Sequence, residues 1–220
     1  MTARWRWLAR GAIAAQVVFT AGWLLGDALQ DAPYSRARDP ISDLGALTAQ
    51  HAWVILVAQG VAGVLTIAFA VGALRPALAV AGRGTPLGAW LVAGSILGLD
   101  NLSDAFFRLD CQASDPGCAA VTIASWHAEI HDVAAVVGVA LAVVAPFALA
   151  HRMRLAAAWR DRAGAALVFG LLFALVAAAY VALTGADGDG YAQRALWVVA
   201  SLGVVLLALR VRVLAAARPA

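Results

Sequence analysis

Lysine is absent from this 220-residue chain, and all sixteen of its basic residues are arginine. Acids are scarce as well, at thirteen, so charged side chains make up 13% of the sequence, against about a quarter in an ordinary soluble domain. So little charge excludes a solvated surface over most of the chain. Several chemical signatures are also missing. There is no phosphate-binding glycine loop, no dinucleotide fingerprint, no C-x-x-C-H haem site and no rhomboid-type Gly-x-Ser. The lipid-phosphatase combination of a basic residue with Ser-Gly-His is not found either. A net charge of +3 and a pI near 9.4 raise the question of nucleic acid. The arginines, however, lie in short segments between apolar runs, which is the distribution of topology signals and not of a nucleic-acid surface.

What is present is hydrophobic. Apolar residues account for 63% of the chain, the mean hydropathy is +0.83, and the apolar residues fall into runs of roughly twenty, the length a helix needs to cross a bilayer. The fold class is therefore all-α, a single polytopic bundle of six transmembrane helices over residues 1–220. The spans are placed at about Leu8–Gly26, His51–Leu74, Thr85–Phe106, Trp126–Ala150, Ala163–Leu183 and Leu196–Leu214. A signal peptide is the alternative for the first, but the run is too long and no small-x-small cleavage site follows it. All six spans read as uninterrupted in the middle, which argues against the broken helices that line midplane substrate paths in transporters. Gly94 and Gly98, a G-x-x-x-G in the third span, are read as helix packing.

Six spans put both termini on one side. Twelve arginines, from Arg4 to Arg218, fall on that side, and Arg36, Arg38, Arg108 and Arg194 fall opposite. The positive-inside rule makes the termini cytoplasmic. The arginine-only, alanine-rich and valine-rich usage suggests a GC-rich bacterial genome, and with it a multi-pass protein of a bacterial inner (plasma) membrane. Every acid except Asp161 lies on the outer side. Cys111 and Cys118 lie there too, seven apart around a Pro116-Gly117 turn, where an oxidising compartment favours a disulfide.

The outer polar residues carry the chemical candidates. His127 and His131, four apart at the mouth of the fourth span, share a helix face, and Glu129 and Asp132 adjoin it. Asp100 and Asp104 share a face in the same way near the outer end of the third span. Intramembrane ionisable groups normally face a bundle interior, so these two sets are expected to meet. In the enzyme reading, a zinc-dependent hydrolase, His127 and His131 bind Zn²⁺ with Asp100 or Asp104, and Glu129 or Asp132 moves the proton as general base. Asp43 and Ser42, which can also cap a short re-entrant or interfacial helix, sit in an outer loop able to cover that site. His51, Asn101, Ser103 and Tyr34 are candidates for substrate contact. The substrate would be a lipid or small amphiphile entering from the outer leaflet. In the competing reading the same groups bind protons or cations in a transporter or accessory protein, or serve as polar packing. A third reading uses the Asp-x-x-x-Asp pairs Asp39/Asp43 and Asp100/Asp104 with Mg²⁺ on a prenyl diphosphate.

Tyr34-Ser35, Pro40-Ile41-Ser42-Asp43-Leu44-Gly45, Asp110-Cys111 with Pro116, and His131-Asp132 together resemble a six-span membrane family known as domain of unknown function 998. That resemblance implies a six-helix membrane fold in which these outer residues belong to one site, and it implies no established activity. A looser resemblance is to the membrane hydrolases that include alkaline ceramidases and progestin-type receptors, which use a Ser, an Asp and three His around zinc. Here a seventh span is lacking.

Overall fold

The computed structural model of the chain describes residues 2–31, 33–118 and 125–217. Arg218, counted above as a topology signal, lies outside them. The described chain is helical, and five helices are long and apolar enough to cross a membrane: Ala3–Ala28, Trp53–Ala77, Trp126–Leu155, Ala157–Leu183 and Asp189–Ala216. A sixth crossing, third in chain order, is made in pieces by Leu87–Gly94, a π-helical turn Ile96–Asp100 and a final turn Asn101–Asp104. The protein is a multi-pass membrane helical bundle.

The first span buries Trp5, Ala9, Ala12, Gln16, Phe19 and Trp23. Their spacing alternates between four and three, the repeat that keeps one seam facing a neighbouring helix. Alanines in that seam let backbones approach closely, which is how helices gain packing energy where lipid is as apolar as leucine. The approach is tightest at Gly22, where an added Cβ would stand 2.3 Å from the Cβ of Ala58 on the second span. Gln16 also donates to the Thr66 hydroxyl across this interface, at 3.1 Å. The first span thus packs on the second and on the sixth, the third lies between the second and fourth, and the fifth bridges the fourth and sixth. The order closes into a ring.

The middle of the third span departs from the expected uninterrupted helix. Ser95 is extended, with φ −74° and ψ 178°, so the backbone ladder is broken there. The Ser95 hydroxyl donates to the Val92 carbonyl at 2.8 Å, which satisfies one acceptor that the break frees. Gly98 follows because the chain rewinds tightly: a Cβ on it would fall 2.1 Å from the Ala93 carbonyl oxygen. Gly94 does serve packing, against Leu141 of the fourth span, whereas Gly98 serves the break. The second span likewise ends in a π-helical turn, Ala70–Leu74.

Both ends of the bundle are tied by arginines. On the arginine-rich side, Arg152 donates to the carbonyls of Leu78 and Arg83, and the Trp159 indole donates to that of Ala77. On the acid-rich side the first loop is not a solvated strand of polar residues. It winds into a 3₁₀ turn, Ile41–Gly45, with Ile41, Asp43, Leu44 and Gly45 buried.

Candidate functional site

Inside the acid-rich end, three spans bring a group of buried polar side chains to one level. Asp100, Asn101 and Asp104 come from the last turns of the third span, His131 from the second turn of the fourth, and Gln59 from the second span; all five are buried. Gln59 Nε2 donates to Asp104 Oδ2 at 3.0 Å. The other oxygen of that carboxylate, Oδ1, lies 3.0 Å from His131 Nδ1, which is also 3.1 Å from the Phe107 carbonyl oxygen. Both neighbours of Nδ1 are acceptors, so the ring carries a proton on that nitrogen. Asp100, one turn earlier, is pressed against the fourth span: a Cβ on Gly138 would fall 3.0 Å from the Asp100 Cβ. Gly138 is two turns below His131, so both side chains occupy one face of the same helix pair.

The cluster is unevenly satisfied. Among the described residues, Asp100 Oδ1, both amide atoms of Asn101 and the Ser103 hydroxyl are buried without a hydrogen-bond partner. Buried polar atoms normally have one. Two carboxylates and an imidazole in so apolar a setting need a proton or a cation to balance their charge.

The expected residues divide sharply. Asp100, Asp104 and His131 meet, and Asn101 and Ser103 lie on the same turns of the third span. His127 does not join them. Its ring stacks on Trp126 with centroids 3.6 Å apart and lies 6.0 Å from the ring of Phe107. Glu129 and Asp132 are exposed on the other faces of the fourth span, and His51 is exposed ahead of the second, at φ 52°. Among the described residues no group of three His, Cys, Asp or Glu side chains is arranged to hold a metal ion. The expected convergence of both histidines on one shell is therefore not what the helices produce. His127 precedes His131 by a full turn and rises past the end of the third span, out to the loop.

The outer loop residues have a different occupation. Asp43 caps no helix, contrary to the expectation for Ser42 and Asp43: the 3₁₀ turn has no side-chain cap. Its carboxylate instead reaches the cysteine loop, where Oδ2 accepts from Ala113 N at 2.9 Å. Burial raises the Asp43 carboxyl to about 7, against the lowering by the Ala113 N–H and with help from Asp39, Asp115 and Asp189. Arg108 donates to the Gly45 and Ala46 carbonyls at 2.8 and 2.7 Å, and Cys111 and Cys118 form a disulfide that closes the loop it belongs to. In contrast Asp110, at the surface, is held below the usual carboxylate range by the Ser125 N–H.

Sequence reasoning missed the anchor of this cap. Arg194 of the sixth span is buried and grips Asp27 of the first, with Nη2 2.6 Å from Oδ1 and Nε 3.3 Å from Oδ2. Its Nη1 donates to the carbonyls of Arg36, Asp39 and Gly190. Tyr34, expected at a substrate, bonds through its hydroxyl to Asp27 and Arg194, and burial beside Asp27 pushes that phenol upward from its ordinary value. The signal that could have found this was arithmetic. Arg194 stands at the mouth of the sixth span on the side where acids prevail, and Asp27 ends the first span.

The sequence matches the family model described as Protein of unknown function (DUF998) over residues 13–210. The chain belongs to this family. The match runs from within the first span to within the sixth and takes in every residue of the cluster and the cap, so this DUF998 protein carries both within the family's extent. No curated protein and no solved structure matches the chain, and the looser resemblance to ceramidase-type hydrolases finds no support in these comparisons.

Proposed function

We propose that this DUF998 protein is a proton- or cation-linked membrane protein in which Asp100, Asp104 and His131 exchange the coupled ion while the bundle handles a lipid or small amphiphile. One observation carries the reading: two buried carboxylates, an imidazole and the Gln59 amide meet between three spans, and Asp100 keeps a buried oxygen free among the described residues. Ionisable groups in the interior of a bundle are the usual parts of proton relays. The Ser95 break adds support, because carriers build their ion and substrate sites from discontinuous helices. With His127 stacked on Trp126, the zinc-hydrolase reading has one imidazole and two carboxylates to work with instead of two of each.

The test is infrared difference spectroscopy of purified protein in lipid nanodiscs across a pH titration, with zinc content measured on the same samples. A carboxyl band that titrates in the wild type and vanishes in Asp104→Asn or Asp100→Asn, but survives in Asp132→Asn, supports the proposal. Stoichiometric zinc lost in His131→Ala would overturn it in favour of a metal hydrolase.

A further inference from the structure

A second feature lies away from the polar cluster. Between the third, fourth, fifth and sixth spans, toward the arginine-rich face, is a cavity of about 450 Å³. Its lining is apolar apart from Ser95, Arg162 and Arg210. Small residues make the room, Ala142 on the fourth span and Gly203 on the sixth among them. Gly203 has no freedom to grow, since a Cβ there would meet the Phe169 ring at 2.6 Å. Leu206 and Leu209 line the cavity and are exposed on the bundle's outside, so it opens sideways toward lipid.

The polar groups collect at one end. Asp161 lies 3.1 Å from Arg162 and 2.7 Å from Arg210, so one acid is shared by two guanidinium groups and positive charge is left over. Arg210 Nη2 also donates to the Ala158 carbonyl, but its Nε is buried without a hydrogen-bond partner among the described residues. A long apolar slot that ends in an under-neutralised guanidinium pair complements a molecule with one tail and one negative head.

We propose that this cavity binds a single-chain anionic amphiphile of the fatty-acid type, its tail among the apolar side chains and its carboxylate at Arg210 and Arg162. The volume suits one hydrocarbon chain and not the two of a phospholipid, being at the small end of ligand pockets, which run from about 300 to 1,000 Å³.

The experiment is equilibrium binding of palmitate to the purified full chain in nanodiscs, with hexadecanol as the uncharged probe and a two-chain phosphatidate as competitor. Palmitate should bind at one per chain, at least tenfold more tightly than hexadecanol, and phosphatidate should not displace it. Arg162→Gln/Arg210→Gln should lose at least tenfold, and Ala142→Phe, which fills the slot, should lose binding. Should the double variant fail to fold, Asp161→Asn decides the matter in the other direction, because releasing both arginines should tighten palmitate several-fold. Equal binding of palmitate and hexadecanol, displacement by phosphatidate, or palmitate binding untouched by both Ala142→Phe and Asp161→Asn would each overturn the proposal.

Discussion

Asp39 with Asp43 and Asp100 with Asp104 share the spacing Asp-x-x-x-Asp, and all four residues are buried, yet the two pairs are solved differently. Asp39 and Asp43 accept from backbone: Asp39 Oδ2 from Ser35 N at 2.6 Å and Asp43 Oδ2 from Ala113 N at 2.9 Å. Asp104 meets side chains, accepting from Gln59 and facing the His131 ring at 3.0 Å, and Asp100 keeps an unpartnered oxygen among the described residues. Backbone donors are fixed by the turn they belong to, so the first pair acts as stitching for a cap. Side-chain donors can rotate and change protonation, so the second pair can respond. Burial alone does not separate the two pairs; the identity of the donor does.

The largest way to break the contrast is to remove the anchor under the first pair. Arg194→Ala deletes the guanidinium that bonds Asp27, Tyr34, the loop carbonyls of Arg36 and Asp39, and the Gly190 carbonyl of its own helix. Losing one partner of a buried ion pair costs about 3–5 kcal/mol. A large drop in melting temperature is expected, together with protease cleavage in the loop between the first two spans. A melting temperature within a degree of wild type would show the network to be ornamental.

Next comes the second pair itself. Asp104→Ala strands the Gln59 amide and the His131 ring in an apolar interior, at about 1–3 kcal/mol for each unsatisfied buried group. Asp104→Asn keeps an acceptor for Gln59 but turns its NH2 toward the His131 Nδ1–H, so it should destabilise less than Asp104→Ala while abolishing the titrating carboxyl band. If Asp104→Asn and Asp104→Ala destabilise equally, the carboxylate is packing and not a responsive group. His127→Ala, by comparison, should leave both readouts unchanged.

Smaller again is the disulfide. Closing a loop of this length contributes about 2–3 kcal/mol through the unfolded chain. Cys111→Ser/Cys118→Ser should lower the melting temperature modestly and loosen Ala113, the donor to Asp43, without touching the Asp104 band. Hydrogen exchange at Ala113 as slow as in wild type would separate the disulfide from the cap.

How these pairs divide explains what the sequence could and could not tell. Apolar runs of membrane length made five long helices legible, because length and hydropathy are set locally. The cysteine pair was legible for the same reason. The Ser95 break was not, since Leu87–Asp104 is apolar on both sides of a residue that also sits comfortably in helices. The cluster was half legible. Spacing placed Asp100 beside Asp104 and His131 on one face, but His127, on that same face, could be excluded only by knowing where the third span ends. Gln59, Asp27 and Arg194 depend on pairings 45 and 167 residues apart, which no local pattern encodes.

The gentlest test is a slope with pH and not a step. Asp43 has a carboxyl near 7 in the folded protein, raised chiefly by burial, against an ordinary value of 3.8. Between those values the folded chain keeps a proton that the unfolded chain has already released. Stability from this residue is therefore fully present below about pH 4, declines as pH rises, and levels off once pH passes about 7. Asp43→Asn retains an oxygen for the Ala113 N–H and has nothing to titrate. Relative to wild type it should thus be about neutral at pH 4 and increasingly the more stable protein up to pH 7 or 8, read as a widening difference in melting temperature. A difference that stays constant across that range would mean that Asp43 is ionised throughout, and that its bond to Ala113 outweighs its burial.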